Sequence, residues 1–356
     1  KASGRNFILG QSRLAHYYKK EDEYEVLESY SGDQLVDMAY EPLFPYFKER
    51  KDQGAFKVIL SDHVTDGDGT GIVHMAPAFG EEDYNACQKL GIEIVLPIDE
   101  DGRFTDEVPD FKGRHVKEAD KDIIAKLKAE DKLIKHETIN HSYPFCWRSD
   151  TPLIYRAVSS WFVSVEKIKE DLIRNNKETH WVPENLRDGR FGNWLENARD
   201  WNISRNRFWG NPIPIWENEE TGEYKCFGSI AELEEFTGQK FDDIHREYLD
   251  DVEVPAKDGK GVFKRIPEVL DCWFESGSMP YAQSHYPFEN KEQFEQGFPA
   301  DFIAEGLDQT RGWFYTLSVL GTALFNKTPF KNVVVNGMVL AEDGKKMSKR
   351  LKNYPD

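Results

Sequence analysis

The distribution of apolar residues is most regular between residues 298 and 352. Residues 300–304 and the β-branched run 333–335 are typical of two strands in a parallel sheet that is covered on both faces. Between them, the apolar residues of 308–326 recur at the spacing of a helix with one buried side. The pattern therefore predicts a β-α-β unit, in which ligands bind beyond the carboxyl ends of the strands.

The first 150 residues show a different pattern, in which short alternating runs are divided by Gly, Asp and Pro. This is typical of a β-rich unit with a few helices. Strands are expected at 6–9, 24–28, 56–60, 72–75 and 92–98. Helices are expected at 116–134 and from Glu81 to a stop at Gly91.

Three further elements are predicted in the second half of the chain. The apolar spacing of 165–175 indicates a helix, and Ser229 with Glu232 forms a capping box for a helix that ends at Gly238. Residues 268–271 are expected to form a third strand of the main sheet.

Composition restricts the class of protein. With 356 residues, of which 39% are hydrophobic, the chain can bury one large core or two ordinary ones. Its four cysteines form no C-x-x-C pair, which argues against a disulfide framework or a thiolate zinc site and fits a reducing cytoplasm. The sequence contains no apolar run long enough for a membrane span and no secretion signal, so we expect no membrane partner. Because it begins without Met and stops just past a lysine-rich loop, we expect it to be the central part of a longer protein.

The net charge of −18 argues against a nucleic-acid binder, because phosphate contacts require Lys or Arg. This average conceals two basic clusters that could still bind RNA. The first lies among tryptophans between residues 187 and 207, and the second lies between residues 345 and 352.

Polar residues follow both strands of the predicted β-α-β unit. Residues 305–311 read EGLDQTR after the first strand, and Asn336 and Gly337 follow the second. Further on, lysines flank Met347 and Ser348 on a glycine-containing loop, where they could neutralise a polyphosphate. A solvated basic run is the alternative for the lysines.

Four motifs occur in one order along the chain and carry a resemblance to class I aminoacyl-tRNA synthetases. The last, KMSKR at 346–350, resembles the KMSKS signature with Arg in place of the final Ser. Residues 201–214 resemble the pattern W-x-I-S-R-x-R-x-W-G-x-P-I-P, and WFESG at 273–277 is closer to the isoleucyl than to the valyl form. GTGIVHMAPAFGEEDY at 69–84 is similar to the signature of the editing domain inserted in those two enzymes.

The resemblance implies a role for several residues. Lys346 and Lys349 would be catalytic, and Trp273 and Trp313 would flank the side chain of the amino acid, although core packing is the alternative for both tryptophans. The residues that the resemblance places around ATP and the adenylate are Glu305, Gly306, Asp308, Gln309 and Lys349, with Gln309 at the amino-acid end.

The editing signature implies a hydrolytic site with Thr70, His74 and Asp83. By resemblance His74 lines the pocket, and Asp83 holds the α-ammonium of a mischarged amino acid. Each has an ordinary alternative: Asp83 would suit the dipole of a helix N-terminus, and His74 could be a satisfied strand residue. The family's Thr-rich pocket strand is not found before Lys1, and Ser149 stands where some bacterial relatives have a zinc-binding cysteine, so no metal is predicted.

The resemblance also implies the fold, which is α/β. Residues 1–150 would be a β-rich α+β inserted editing domain, 151–216 the return segment, and 217–265 a small second insertion. Residues 266–356 would form the C-terminal half of a class I Rossmann catalytic domain, without its HIGH-type motif.

The implied reaction is that of the isoleucyl enzyme, of the eukaryotic or archaeal cytosolic type. ATP with Mg²⁺ would activate isoleucine for transfer to tRNA(Ile), mischarged Val-tRNA(Ile) would be hydrolysed, and a multi-synthetase complex is a further expected partner. A valyl relative, an editing-only hydrolase and a non-catalytic tRNA-binding chain are the alternatives. An editing-only hydrolase does not explain the intact motifs at 305–313 and 346–350, and a non-catalytic chain would be expected to have lost them.

Overall fold

The computed structural model describes residues 2, 4–146, 149–345, 347 and 352–355. The chain divides into two compact units, Lys1–Val158 and Ser159–Asp356. In the described part of the chain, no helix combines the length and apolar content that a bilayer crossing requires.

The first unit is built from short helices and loops. Its α-helices are α1 (Leu14–Tyr17), α2 (Glu81–Lys89) and α3 (Val116–Ala129). Its 3₁₀ turns are Gln11–Arg13, Glu21–Glu23, Gly32–Leu35, Lys48–Gln53 and Pro109–Phe111.

The boundaries of α2 and α3 follow the local signals only in part. The predicted start of α2 at Glu81 is confirmed, and Gly91 follows the helix with a φ of +69°. The predicted end of α3 at residue 134 is wrong, because the helix stops at Ala129 and Asp131 adopts a left-handed conformation. Beyond it the chain turns, with the Lys132 amide donating to the Leu127 carbonyl, and Ile134 is 56% exposed.

The prediction of strands in the first unit is wrong. In the described residues of this unit, pairing is limited to isolated bridges such as Ala39 with Lys57 and Ile98 with Phe104. Ile72 and Val73, expected inside a strand, are 44% and 52% exposed. Alternation of residue types can mark an extended segment, but a ladder also needs a neighbouring strand to pair its amides and carbonyls.

The first unit has one small apolar cluster, made of residues that are distant in sequence. Val108, Phe111 and Ala119 are buried together, and Tyr46 and Phe104 are among the partly buried residues that pack on them. In the described residues of this unit, α3 therefore contributes Ala119 to a cluster whose other buried members come from the segment before it.

The second unit contains the regular secondary structure. Its helices are α4 (Lys169–Lys177), α5 (Gly192–Glu196), α6 (Ile230–Thr237), α7 (Arg246–Leu249), α8 (Cys272–Gly277), α9 (Met279–Ala282), α10 (Lys291–Gly297) and α11 (Trp313–Phe325). Its strands are β1 (Phe162–Val163), β2 (His180–Val182), β3 (Trp201–Asn202), β4 (Ser204–Arg205), β5 (Ile215–Asn218), β6 (Glu223–Cys226), β7 (Glu253–Pro255), β8 (Val262–Arg265), β9 (Val269–Leu270), β10 (Ala300–Gly306) and β11 (Phe330–Asn336). Short non-α turns occur at Val165–Ile168 and Leu307–Arg311, and a π-helical turn covers Arg187–Phe191.

The predicted β-α-β unit is confirmed. Strands β10 and β11 pair in parallel, with Glu305 opposite Val335 and Gly306 opposite Asn336, and α11 connects them. The third strand of this sheet is β2, which pairs in parallel with β11. The prediction that 268–271 supplies the third strand is wrong, because β9 pairs antiparallel with β4.

The main core lies on the face of the parallel sheet that α11 covers. Trp181 of β2, Phe314 of α11 and Phe330 of β11 are each at most 2% exposed and contact one another through their rings. The expectation that both faces are covered is wrong for this chain, since Phe302 of β10 is 62% exposed. The β-branched run 333–335 of β11 is compatible with burial on either face of the sheet. The sequence pattern does not specify what would cover the face opposite α11.

A separate antiparallel sheet in the order β6-β5-β8-β7 occupies the region between β5 and β8. Trp216, Leu233, Leu249 and Phe263 form its own core, which includes residues of α6 and α7. The predicted cap of α6 is confirmed: the Ser229 hydroxyl accepts from the Glu232 amide, and Gly238 ends the helix with a φ of +71°.

Candidate active sites in the two units

The first candidate site lies at the carboxyl end of β10. Glu305 and Gly306 are the last residues of the strand, and the turn Leu307–Arg311 then carries Asp308 and Gln309. The chain therefore places these four predicted nucleotide-binding residues at the strand end where parallel sheets bind ligands.

Gly306 leaves the space that Asp308 occupies. A Cβ atom on residue 306 would lie 2.8 Å from Oδ1 of Asp308, which is too close for any real contact. Any other residue at position 306 would therefore push the Asp308 carboxylate out of its present orientation.

The Gln309 side chain forms two hydrogen bonds within the protein. Its Oε1 accepts from the Trp313 amide at 2.8 Å, and its Nε2 donates to Oδ2 of Asp308 at 3.3 Å. The first bond satisfies one of the unpaired amides at the start of α11. Gln309 thus links Asp308 to the helix, in addition to the amino-acid contact that the resemblance predicts.

Trp273 and Trp313, the predicted side-chain pocket, both adjoin Gly312: Trp313 follows it in the chain, and the Trp273 ring approaches it in space. A Cβ atom on Gly312 would lie 3.2 Å from the Trp273 ring and 2.7 Å from Oε1 of Gln309. Trp313 is partly buried against the main core, and its Nε1 donates to the Ser276 carbonyl at 2.9 Å. Trp273 remains 40% exposed, so it has more free surface for a ligand.

The buried carboxylate of Asp271 holds the start of α8, where Trp273 lies. Its Oδ1 accepts from the Trp273 amide at 3.3 Å, and its Oδ2 accepts from Arg205 Nη2 at 2.7 Å and Trp201 Nε1 at 3.2 Å. Burial and the negative charge of Asp271 raise the pKa of the Cys272 thiol, so Cys272 is held in its neutral form. The pattern of 268–271 predicted a strand that includes Asp271, whereas an Asp directly before a helix is also a capping signal and could have indicated this role.

A second polar link supports the turn that follows β10. The Thr310 side chain is fully buried, accepts from Arg190 Nε at 2.9 Å, and donates to the Leu307 carbonyl at 2.8 Å. The guanidinium of Arg311 lies 4.9 Å from the centre of the Trp194 ring, within cation-π distance. The π-helical turn at 187–191 and Trp194 of α5 therefore support the segment that carries Asp308 and Gln309, a contact that no local sequence pattern indicates.

The lysine-rich loop is only partly described. The Ala341 amide donates to the Lys345 carbonyl at 2.8 Å, and Gly344 has a φ of +74°, so residues 341–345 form a tight turn. The Lys345 ammonium holds the pKa of Asp343 below its usual value. The predicted catalytic residues Lys346 and Lys349 lie outside the described residues, and their roles stay predictions.

The second candidate site lies in the first unit around Asp83. The Asp83 side chain is 20% exposed, and its Oδ2 accepts from the Ala76 amide at 2.9 Å. Its Oδ1 lies 3.5 Å from Nε2 of His63, a residue outside the motif that predicted this site. Burial and the charge of Asp83 raise the pKa of Cys87 one helical turn further on.

The other two predicted editing residues are placed differently. His74 is exposed, and Thr70 uses its hydroxyl locally, donating to the Ile72 carbonyl at 2.8 Å. Within the described ranges, neither residue forms a hydrogen bond or ion pair with Asp83. The structure thus places Asp83 beside His63 and Ala76. The roles in editing that the resemblance implies for His74 and Thr70 stay predictions.

In the parts of the chain that the structure describes, no three His, Cys, Asp or Glu side chains converge as a metal site would require.

Comparison with known proteins gives these sites a context. Residues 15–356 match the family model for class I tRNA synthetases (I, L, M and V). Over its whole length the chain is 68% identical to an isoleucine–tRNA ligase of Bdellovibrio bacteriovorus and 59% identical to the cytoplasmic isoleucine–tRNA ligase of Schizosaccharomyces pombe. Over 99% of its length it is 60% identical to an isoleucine–tRNA ligase of Protochlamydia amoebophila. It spans about a third of these relatives, 34% of each.

Proposed function

Since the chain belongs to the class I tRNA synthetases that include the isoleucine, leucine, methionine and valine enzymes, we propose that its protein is an isoleucine–tRNA ligase. The observation that carries this proposal is the 68% identity over the whole chain to a protein of that name. In the proposed reaction, the isoleucine carboxylate attacks the α-phosphate of Mg²⁺-bound ATP, pyrophosphate leaves, and a terminal hydroxyl of tRNA then displaces AMP.

The carboxyl end of β10 would hold the adenylate. Glu305 and Asp308 offer carboxylate oxygens to ribose hydroxyl donors, and Gly306 allows close approach of the backbone. The Arg190–Thr310 bond and the Gln309 cap keep this turn rigid, so little ordering is required when the nucleotide binds. Lys346 and Lys349 would neutralise the charge that moves onto the pyrophosphate.

Trp273, Gly312 and Trp313 would form one wall of the amino-acid pocket. The exposed ring of Trp273 can cover an aliphatic side chain, while Trp313 is anchored by its bond to Ser276. An apolar pocket distinguishes isoleucine from valine by only about 1–3 kcal/mol per methylene, a range for which this enzyme is the standard example. A second, hydrolytic site would therefore be required for accuracy.

The site around Asp83 would provide that hydrolysis. Its carboxylate can bind the α-ammonium of a valyl ester through charge-assisted hydrogen bonds, and water would attack the ester carbonyl. The products are valine and tRNA with a free terminal hydroxyl, so atoms balance without an enzyme nucleophile. His74 would line the pocket, and Thr70 would shape the turn that leads to it.

The decisive experiment measures both activities in the full-length protein. Isoleucine-dependent exchange of pyrophosphate into ATP tests activation, and Asp308→Ala should slow it by about 100-fold while Asp301→Ala, at the other end of β10, should not. Isoleucine-independent exchange, or equal rates in the two variants, would contradict the proposal.

Editing is tested by deacylation of Val-tRNA. Asp83→Ala should lower kcat/KM for deacylation by at least about 100-fold, mainly through KM, and leave activation unchanged, because the residue lies in the other unit. Glu82→Ala is the matched control: Glu82 is exposed in the same first turn of α2 and shares the helix-dipole effect of about 0.3–1 kcal/mol. If both variants deacylate at the wild-type rate, Asp83 has only the dipole role.

We also propose a cytoplasmic location and participation in a multi-synthetase complex. The location is supported by the cytoplasmic relative from fission yeast, and cell fractionation followed by co-purification would test both.

A further inference from the structure

Three polar side chains of the first unit, those of Ser61, His63 and Asp83, lie next to one another. The Ser61 hydroxyl lies 2.8 Å from Nδ1 of His63, and Nε2 of the same ring lies 3.5 Å from Oδ1 of Asp83. The His63 and Asp83 side chains are 30% and 20% exposed, so both are mostly withdrawn from water.

The two polar neighbours of the ring together favour one tautomer of a neutral imidazole. When the Ser61 hydroxyl donates to Nδ1, the single proton of a neutral ring lies on Nε2. That N–H is the one closest to the Asp83 carboxylate. The opposite tautomer would place a lone pair against a negative charge, which is unfavourable.

The carboxylate is thereby held from two directions. The Ala76 amide donates to Oδ2 from the backbone side, and His63 faces Oδ1 from the loop before the motif. A carboxylate has about four lone-pair positions, so these two neighbours leave about two for a ligand. An ammonium group has three donors and can use both.

We propose that His63 is a positioning residue, which holds the Asp83 carboxylate so that its remaining lone pairs face the α-ammonium of the aminoacyl ester. This rests on the proposed editing function and deepens it. His63 acts through Asp83 and does not take part in the attack of water on the ester.

The proposal predicts a specific kinetic signature. The ammonium keeps its charge while the ester is cleaved, so Asp83 binds the ground state and the transition state about equally well. Loosening the carboxylate should therefore raise KM and leave kcat nearly unchanged. His63→Ala should raise KM for Val-tRNA about tenfold, with less than about a twofold change in kcat.

Two amide variants separate positioning from a merely structural role. The amide nitrogen of His63→Gln can take the place of Nε2 and donate to Asp83, whereas that of His63→Asn reaches only as far as Nδ1 and keeps contact with Ser61. The Gln variant should restore KM to near the wild-type value, and the Asn variant should behave like Ala. All three should unfold at the wild-type temperature.

The test uses the full-length protein, Val-tRNA as the probe, and Asp83→Ala in parallel. If Asp83→Ala is impaired while all His63 variants match the wild type, this inference is overturned and the proposed function stands. Equal KM increases in the Gln and Asn variants would also overturn it, since they would indicate a role in the loop alone. If Asp83→Ala deacylates normally, both the editing function and this inference fall.

Discussion

The Arg205 guanidinium lies 2.7 Å from the Asp271 carboxylate, and the Arg205 side chain is 36% exposed while that of Asp271 is only 4% exposed. The bond joins β4 to the residue that caps α8, across 66 positions of sequence. A buried carboxylate without its cation is much more costly than an arginine that can turn toward water.

We predict unequal effects from removing the two charges. Arg205→Met leaves a buried carboxylate and should lower the free energy of unfolding by about 3 kcal/mol. Asp271→Asn keeps the capping oxygen, but its NH2 group then faces the Arg205 and Trp201 donors. Because the arginine can turn toward water, the change should cost about 1–2 kcal/mol. Denaturant unfolding of both variants and of the double variant measures their coupling, expected at about 1–3 kcal/mol. Strictly additive losses would show that the pair contributes nothing as a pair.

Gly277 is predicted to be essential for the close contact of α8 with α11. A Cβ atom there would lie 3.0 Å from Cδ1 of Leu320 and 3.2 Å from Cβ of Thr316. Gly277→Ala should therefore destabilise the protein by about 1–3 kcal/mol, because the helices must separate. Gly297→Ala at the end of α10 is the control, since its Cβ would meet nothing within 4 Å. Thermal unfolding should show a loss for the first variant only.

Gln309 is predicted to stabilise the start of α11 as well as to serve the site. Gln309→Ala removes the acceptor of the Trp313 amide and should cost about 1 kcal/mol. Gln309→Glu keeps an acceptor near the helix N-terminus but brings a second negative charge beside Asp308, to which Gln309 now donates. Its stability should fall less than that of the Ala variant, while isoleucine-dependent pyrophosphate exchange should fall in both. Wild-type exchange in both would restrict Gln309 to the helix cap.

The Tyr46–Asp110 contact predicts an alkaline dependence of stability. Burial, followed by the hydrogen bond to Asp110, raises the pKa of Tyr46 from 10.0 to about 12. Because the pKa of Tyr46 is raised in the folded state, the stabilisation by its neutral hydroxyl is fully present below pH 10 and is lost as the pH rises through about 12. The unfolding temperature of the wild type should thus fall more steeply than that of Tyr46→Phe between pH 10 and 12. Parallel curves would show that Tyr46 has the same pKa in the folded and unfolded chains.

Local patterns were sufficient where an element is long enough to show its period. Strands β10 and β11 and helix α11 were predicted from 300–336, since seven-residue strands and a thirteen-residue helix repeat their apolar spacing several times. The Ser229 cap and the start of α2 at Glu81 were also predictable, because capping depends on residues within one turn. The carboxyl end of β10 as a ligand-binding edge follows from the same unit.

Partners distant in sequence could not be predicted in this way. The third strand β2 has three residues and β9 has two, which is too short for any period to identify the strand that each joins. The alternating segments of the first unit look like strands, yet they find only isolated bridges in the described residues. Hydrogen-bond partners depend on where the rest of the chain passes.

The same limit applies to the sites. Asp83, Asp308 and Gln309 could be selected from their motifs, but the approach of His63 to Asp83 and the bond from Gln309 to Asp308 depend on geometry. Local periodicity records which face of a segment is apolar, because burial acts on each side chain separately. Pairing two polar side chains such as Arg205 and Asp271 requires directed atoms from different segments to meet within about 3 Å, and only the folded path of the chain decides that distance.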